Sequence, residues 1–178
     1  MPLQGFPQQG KVYKKLDRAL ENRDSVFILQ LKRDRLEEFP MEILQLKKLE
    51  VLDLSHNNLT GLPKDLSALS NLQELVLTAN DLDSLPAVIG DLPKLKKLYV
   101  GNNEIYHVSH RIGNLKDLTH LELWSNNIYY LPNEIEELHQ LEELDLRGIQ
   151  MSEEHQDAIK ALISDAVRVR MSMSCDCD

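Results

Sequence analysis

The side chains with the greatest chemical capacity in this chain are one histidine and three acids at a fixed spacing. His120 and Glu122 alternate along one segment, and Glu143 and Asp145 alternate in the same way 23 residues later. An imidazole with carboxylates can hold a divalent metal ion. On a sheet surface, however, such side chains far more often face solvent, and the spacing alone defines no ligand set. We therefore expect no metal and no cofactor.

The motifs of common catalytic sites are missing from the sequence. It has no glycine-rich phosphate loop, HExxH pair or serine elbow. Ser55 and His56 are neighbours, but alternation along a strand would point their side chains apart. Cys175 and Cys177 lie too near the chain end to close a useful loop, and they match neither a prenylation tail nor a zinc knuckle. We expect a protein that is not an enzyme.

Charge and composition narrow the range of partners. The 178 residues include 29 acids and 20 bases, which gives a net charge of −9 and a pI of about 5.1. This is the wrong sign for neutralising phosphates, so no nucleic-acid partner is expected. The sequence lacks an apolar run of about 18 residues, and its start lacks a basic end followed by an apolar stretch. We expect no membrane partner, no secretory signal and a cytoplasmic monomer.

Leucine dominates the apolar residues and recurs with a period of 23. There are 33 leucines against 3 phenylalanines and 1 tryptophan. In five successive blocks from Val26, positions 1, 4, 6, 11, 14, 18 and 21 are apolar in 35 of 35 cases, and a sixth block begins at Leu141. Burying seven such side chains yields about 10 to 20 kcal/mol, whereas ordering one block costs roughly 23 to 46 kcal/mol. One block cannot fold alone, so the blocks must stack.

Each block predicts a short strand followed by a return segment. In the block from Leu49, Leu52 and Leu54 face inward on either side of Asp53. Pro63 then begins the return path, where a fixed φ and a missing amide donor do no harm. Proline recurs there in three other blocks, and Ser109 replaces it in one. Strands therefore line one side of the array and bulkier segments the other, which curves it.

Four segments repeat one pattern: LEVLDLSHNNL, LQELVLTANDL, LKKLYVGNNEI and LTHLELWSNNI, continued by LPAVIGDL and LPNEIEEL. Over about residues 26–151 the chain thereby resembles leucine-rich repeats of the 23-residue class. The resemblance implies an α/β fold: a right-handed solenoid, or horseshoe, with a parallel concave sheet and helical caps. It also implies structural asparagines that bond the backbone of neighbouring repeats: Asn57, Asn80, Asn103 and Asn126. Asp34 and Ile149 occupy the same place in the outer blocks.

The segments outside the repeats predict caps at both ends. The expected division is an N-terminal tail and helical cap (1–25), six repeats (26–151), a C-terminal helical cap (152–171) and a flexible tail (172–178). A helix over 11–22 would place Val12, Leu16, Ala19 and Leu20 on one face. Ser152 is the predicted N-cap of the second helix, whose apolar stripe is Ala158, Ile159, Leu162 and Ile163. The alternating AVRVRM predicts a closing strand.

Large aromatic side chains on the outward side of the sheet predict a binding patch. In the family's geometry Trp124 faces outward beside Tyr99 and Val76, and aromatic rings are frequent anchors in interfaces. Residues 118–147 hold seven acids and one base, Arg147, so a basic protein partner is expected to be steered there. The predicted partner-binding residues are Val76, Tyr99, Tyr106, His120, Glu122, Trp124, Tyr129, Tyr130 and Asp145.

We expect a non-catalytic protein–protein interaction module of the kind that serves as a signalling scaffold. A rigid concave surface suits this task because little ordering cost is incurred on binding. Two alternatives stay open. One is a regulatory subunit that tethers an enzyme and controls its activity. The other is a metal-dependent enzyme, for which the acidic, histidine-bearing face is the only support.

Overall fold

The computed structural model describes residues 10–172. Its strands are β1 Val12–Tyr13, β2 Ile28–Gln30, β3 Val51–Asp53, β4 Glu74–Val76, β5 Ser84–Leu85, β6 Lys97–Tyr99, β7 His107–Val108, β8 His120–Glu122, β9 Glu143–Leu146 and β10 Arg168–Met171. Its α-helices are α1 Leu16–Leu20 and α2 Glu153–Leu162. Short 3₁₀ helices cover Arg23–Ser25, Met41–Gln45, Lys64–Ala68, Ala87–Asp91, His110–Asn114 and Asn133–Glu137. Cys175, Cys177 and the rest of the predicted tail after Ser172 lie outside the described residues.

Eight strands form one parallel sheet in the order β1-β2-β3-β4-β6-β8-β9-β10. Between successive repeats the pairing joins residues 23 apart, such as Leu29 with Leu52 and Leu52 with Leu75. β5 and β7 pair separately, in a two-stranded sheet of the return segments. The predicted solenoid of stacked repeats with an open parallel sheet is confirmed. Within residues 10–172, no helix has the length and apolarity needed to cross a membrane.

The repeated apolar positions form one continuous core. All 35 are buried except Leu36 and Leu62, which are partly buried and pack against the others. Each repeat therefore shields its leucines with the two layers beside it, as the energetics of a single block require.

The return segments are single 3₁₀ turns. A proline precedes four of them, as predicted: Pro40, Pro63, Pro86 and Pro132. Ser109 precedes the fifth, and its hydroxyl accepts a hydrogen bond from the backbone N–H of Arg111 at 3.3 Å. A side-chain acceptor thus begins this turn where a fixed φ begins the others. Among the described residues, α-helix is confined to the two ends of the array.

Four buried asparagines join successive repeats. Asn80 shows the pattern: its Nδ2 donates to the carbonyls of Leu77 at 2.9 Å and Leu54 at 3.1 Å, and its Oδ1 accepts from the amide of Leu59 at 3.1 Å. Asn57, Asn103 and Asn126 make the equivalent bonds. Only an amide side chain can donate and accept in this way. In the same place of the first repeat, Asp34 contributes its backbone N–H, which donates to Asn57.

The residue before each of these positions has a left-handed backbone. Its φ lies between 50° and 71° in Arg33, His56, Ala79, Asn102, Ser125 and Gly148, which are spaced 23 residues apart. Of the six, only Gly148 lacks the Cβ that makes this conformation cost about 1 kcal/mol. The stacking of the repeats, rather than local residue preference, therefore imposes the turn.

The N-terminal cap differs from the predicted helix over 11–22. Val12 and Tyr13 form β1, which pairs in parallel with β2, and the helix α1 is limited to Leu16–Leu20. Ala19 is fully buried as expected, but Val12 is 42% exposed and Tyr13 is buried in its place. The free edge of β2 offers a complete row of backbone partners, and pairing with it overrides the helical pattern of the first residues.

The C-terminal cap follows its prediction more closely. Ser152 caps α2 by accepting a hydrogen bond from the backbone N–H of His155 at 3.3 Å. Ile159 and Ile163 are buried against the last repeat, whereas Ala158 is exposed. The alternating segment forms β10, which pairs in parallel with β9 and extends the sheet by one strand.

Candidate functional site

The concave face consists of the outward side chains of the eight-stranded sheet. In the four central strands these side chains stand in three columns: Val51, Glu74, Lys97 and His120; Asp53, Val76, Tyr99 and Glu122; Ser55, Thr78, Gly101 and Trp124. Neighbouring strands are about 4.8 Å apart, so adjacent members of a column can contact one another. Three of the predicted binding residues, Val76, Tyr99 and Glu122, stand side by side in one column.

Trp124 is seated on Gly101. A Cβ at Gly101 would lie 2.3 Å from Trp124 Cε2 and 2.4 Å from Nε1, so the indole ring occupies the space that any other residue would fill. The ring N–H donates to Glu122 Oε2 at 3.2 Å. Trp124 is therefore half-buried rather than exposed as predicted, and a seat and a hydrogen bond hold its ring in place.

Tyr99 is the last residue of β6 and lies two residues before Gly101, which the ring of Trp124 covers. Its ring is half-buried beside Val76 and Glu122. Burial, followed by the charges of Glu74, Glu122 and Glu143, raises the pKa of Tyr99. The phenol therefore stays neutral in a region of negative potential.

Glu74 is the most unusual side chain of the face, and the sequence analysis did not single it out. It is only 2% exposed, and its Oε1 has no hydrogen-bond partner. Burial raises the pKa of Glu74 to about 7, against the opposing charge of Lys97 and with an added contribution from Asp53. Glu74 occupies position 3 of its block, between Val51 and Lys97 of the neighbouring blocks. Listing the outward residues at that position would have identified it.

Two further polar side chains of the face, in the repeat before that of Glu74, are buried. Asp53 is 8% exposed and accepts a hydrogen bond from the backbone N–H of Ser55 at 2.9 Å. Ser55 is 2% exposed, and its hydroxyl has no hydrogen-bond partner. The neighbouring His56 is exposed and has a left-handed backbone, so Ser55 and His56 form no catalytic pair.

Glu122 stands between the aromatic pair and the C-terminal strands. Burial raises its pKa, helped by the charges of Asp145 and Glu143 and opposed by the Trp124 hydrogen bond and by Arg147. Its side chain accepts a hydrogen bond from the ring N–H of Trp124. The carboxylate of Glu122 can therefore accept further hydrogen bonds beside the rings of Tyr99 and Trp124.

The C-terminal end of the face is neutralised, which the sequence analysis missed. Arg147 Nε donates to both carboxylate oxygens of the buried Asp145, at 2.9 and 3.0 Å. β10 places Arg168 and Arg170 opposite β9, where their guanidinium groups lie 3.8 and 2.8 Å from the carboxylate of Glu143. The acids of residues 118–147 therefore do not form a uniformly negative surface, because bases from another part of the chain face them.

His120 is tied to its own strand. The Thr119 hydroxyl donates to the carbonyl of Lys96 at 3.0 Å and lies 2.8 Å from His120 Nδ1. With the hydroxyl proton engaged, Nδ1–H is the donor of the second bond. Within residues 10–172, no group of three or more His, Cys, Asp and Glu side chains is arranged to hold a metal ion, so His120 and its acidic neighbours form no such cluster.

The three loop tyrosines lie apart from the concave sheet. Tyr106 immediately precedes β7 in the two-stranded sheet, and Tyr129 and Tyr130 correspond to Tyr106 and His107 one repeat later. They are 56%, 71% and 56% exposed, respectively. The structure therefore divides the predicted binding residues into a concave group around Tyr99 and Trp124 and a separate loop group.

Stacked 23-residue repeats, an asparagine ladder and an open parallel sheet define a repeat scaffold. The family model for the leucine-rich repeat matches residues 25–82 and 86–150. The chain belongs to the leucine-rich-repeat family, whose domains generally mediate protein–protein interactions and are typically not enzymes.

One similar solved structure is that of a leucine-rich-repeat protein from Leptospira interrogans, with 32% sequence identity and a TM-score of 0.72. The match covers 93% of this chain and 49% of that protein, so the chain spans about half the length of this relative. The curated proteins contain no match to the chain.

Proposed function

We propose that this chain is a non-catalytic interaction module that binds a protein partner on its concave face, centred on Tyr99 and Trp124. The observation that carries the proposal is the seat of Trp124: Gly101 provides the space and Glu122 holds the ring N–H at 3.2 Å. A ring held in this way loses little freedom when a partner covers it, so more of the contact energy remains for affinity.

The loop tyrosines provide a matched test of the location. A Tyr99→Ala/Trp124→Ala double variant should lose the partner captured from source lysate by the wild-type chain, with an affinity at least tenfold weaker once that partner is purified. A Tyr106→Ala/Tyr129→Ala variant should retain it, because those rings lie outside the concave sheet. The opposite result would show that the partner binds at the loops. Equal capture by both variants would show that these aromatic side chains do not anchor the partner.

A Gly101→Ala variant tests whether binding requires the position of the Trp124 ring and not only the presence of the ring. The new methyl group must displace the ring, because its nearest Trp124 atom would lie only 2.3 Å away. Since the chain has a single tryptophan, its emission spectrum reports the displacement directly. We expect a shifted spectrum together with weakened partner binding. A shifted spectrum with unchanged affinity would show that the seat of the ring is irrelevant to binding.

A further inference from the structure

Acidic side chains are concentrated at the centre of the concave face. Asp53 accepts a hydrogen bond from the Ser55 backbone N–H, Glu122 accepts one from the Trp124 ring, and Glu74 Oε1 accepts none. Lys97 and His120 are the bases in the same columns, and the charge of Lys97 lowers the pKa of Glu74 without offsetting the effect of its burial. The face is therefore complementary to a positively charged group.

Glu74 is the most deeply buried of these acids. A carboxylate oxygen that is buried without a donor costs free energy that a hydrogen bond from a cation would recover. Glu74 Oε1 is in this position, and the residue is 2% exposed. Glu74 pairs with Lys97, which lies two residues before Tyr99 on β6. The unsatisfied acceptor and the aromatic pair thus belong to the same part of the face.

The rings provide the second element of a cation site. A guanidinium or ammonium group is attracted to the face of an aromatic ring, most strongly to tryptophan. Trp124 is fixed by Gly101 and Glu122, and Tyr99 stands beside Glu122. A guanidinium group suits this arrangement better than an ammonium group, because it is planar, more weakly hydrated and has five N–H donors.

We propose that the concave face recognises an arginine side chain of its partner, held over the rings of Tyr99 and Trp124 between the carboxylates of Glu74 and Glu122. The inference rests on the proposed function and specifies the chemistry of the bound partner. An arginine in an extended segment of the partner would place its guanidinium group among the two rings and donate to both carboxylates. Because Glu74 is 2% exposed, its side chain must turn outward for Oε1 to accept from the guanidinium group, and Glu74 then gains the donor that it lacks.

Calorimetric titration with short peptides tests this directly. The probe is an acetylated five-residue peptide with two arginines separated by glycine, compared with peptides that carry lysine or citrulline at both positions. Citrulline keeps the shape and loses the charge. We expect saturable binding of the arginine peptide with quenching of Trp124 fluorescence, at least fivefold weaker binding of the lysine peptide, and no binding of the citrulline peptide.

Charge-matched variants locate the site. Glu74→Gln/Glu122→Gln should weaken the arginine peptide at least tenfold. Glu104→Gln/Glu136→Gln removes the same charge from exposed positions and should change the affinity less than twofold. Circular dichroism and thermal unfolding show whether each variant keeps the fold. Equal binding of the citrulline peptide, equal effects of the two variants, or no binding of the arginine peptide would overturn the inference.

The natural partner distinguishes this inference from the proposed function. If Tyr99→Ala/Trp124→Ala loses the partner and Glu74→Gln/Glu122→Gln keeps it, concave docking stands and arginine recognition is wrong. If both variants keep the partner, both are wrong. Equal affinity for the arginine and lysine peptides would overturn the choice of arginine.

Discussion

At the C-terminal end of the concave sheet, Glu143 and Asp145 lie among three arginines, whereas at its centre Glu74 Oε1 has no hydrogen-bond partner and Glu122 accepts from the ring of Trp124. Buried carboxyl groups in these two regions therefore have pKa values shifted in opposite directions. Burial alone would raise the pKa of Asp145, but the hydrogen bonds from Arg147 and the charge of Arg170 hold it below its ordinary value. The pKa of Glu74 rises to about 7.

Under the proposed function, this contrast separates acids that stabilise the fold from acids that the donors of a partner would stabilise. The acids of β9 are satisfied internally and have little to gain from a partner. Burial raises the pKa of Glu74 on β4 and of Glu122 on β8, so under the proposed function a donor from a partner has more to gain there. Partner recognition is accordingly expected at the centre of the sheet rather than at its most acid-rich segment.

Removing the paired acid should have the largest effect on stability. Asp145→Ala leaves the donors of Arg147 without their buried acceptor, and we expect the free energy of unfolding to fall by about 2 to 3 kcal/mol at pH 7. Since the pKa of Asp145 is lowered, its contribution is present above the ordinary value near 4 and is lost as the pH falls through the folded-state value. Urea unfolding from pH 2 to 7 measures the loss. Glu142→Gln, an exposed neighbour, should change stability by less than about 0.5 kcal/mol.

Neutralising the unpaired acid should act in the opposite direction. The pKa of Glu74 is about 7 in the folded chain against 4.5 ordinarily, so the native state binds the extra proton and its stability falls as the pH rises from about 4.5 through 7. Glu74→Gln removes this loss. We expect the variant to gain roughly 1 to 3 kcal/mol at pH 8 relative to wild type, with little gain at pH 5. If the free energy of unfolding of the two proteins depended on pH in the same way between pH 5 and 8, ionised Glu74 would not destabilise the fold.

The exposed pairs of the C-terminal strands should give the smallest effect. Glu143→Gln weakens its contacts with Arg168 and Arg170, whose side chains are 71% and 40% exposed. The expected loss is about 0.5 to 1 kcal/mol at low salt and close to zero at 1 M NaCl, because solvent and ions screen such pairs. Chemical unfolding at the two salt concentrations checks this. A loss larger than that of Asp145→Ala would reverse the assignment of the stabilising acid.

The fold was largely predictable because every repeat restates the same pattern. Position-by-position periodicity predicted the buried leucines, the strand after Leu49 and the proline-led return, and the family resemblance added the bonding of Asn80. The helix over 11–22 was predicted wrongly, since the pattern of Val12 and Leu16 cannot reveal that β2 leaves an edge to be paired.

The site was less predictable because it depends on contacts between repeats. The sequence placed Tyr99 and Trp124 on one face, but it did not reveal that Trp124 rests on Gly101, a residue one repeat away. It also counted the acids around Glu143 as free, because Arg168 and Arg170 lie 25 residues or more further along the chain and meet Glu143 only when β10 joins the sheet.

The sequence by itself determined that this chain forms a stack of leucine-lined turns with one outward face, because the period repeats often enough that each turn can bury its apolar side chains only against a copy of itself. Only the tertiary structure decided which outward charges are neutralised and which are not. Pairing across a sheet depends on which strands become neighbours, and both the desolvation of Glu74 and the neutralisation of Glu143 arise from neighbours that lie far away along the chain.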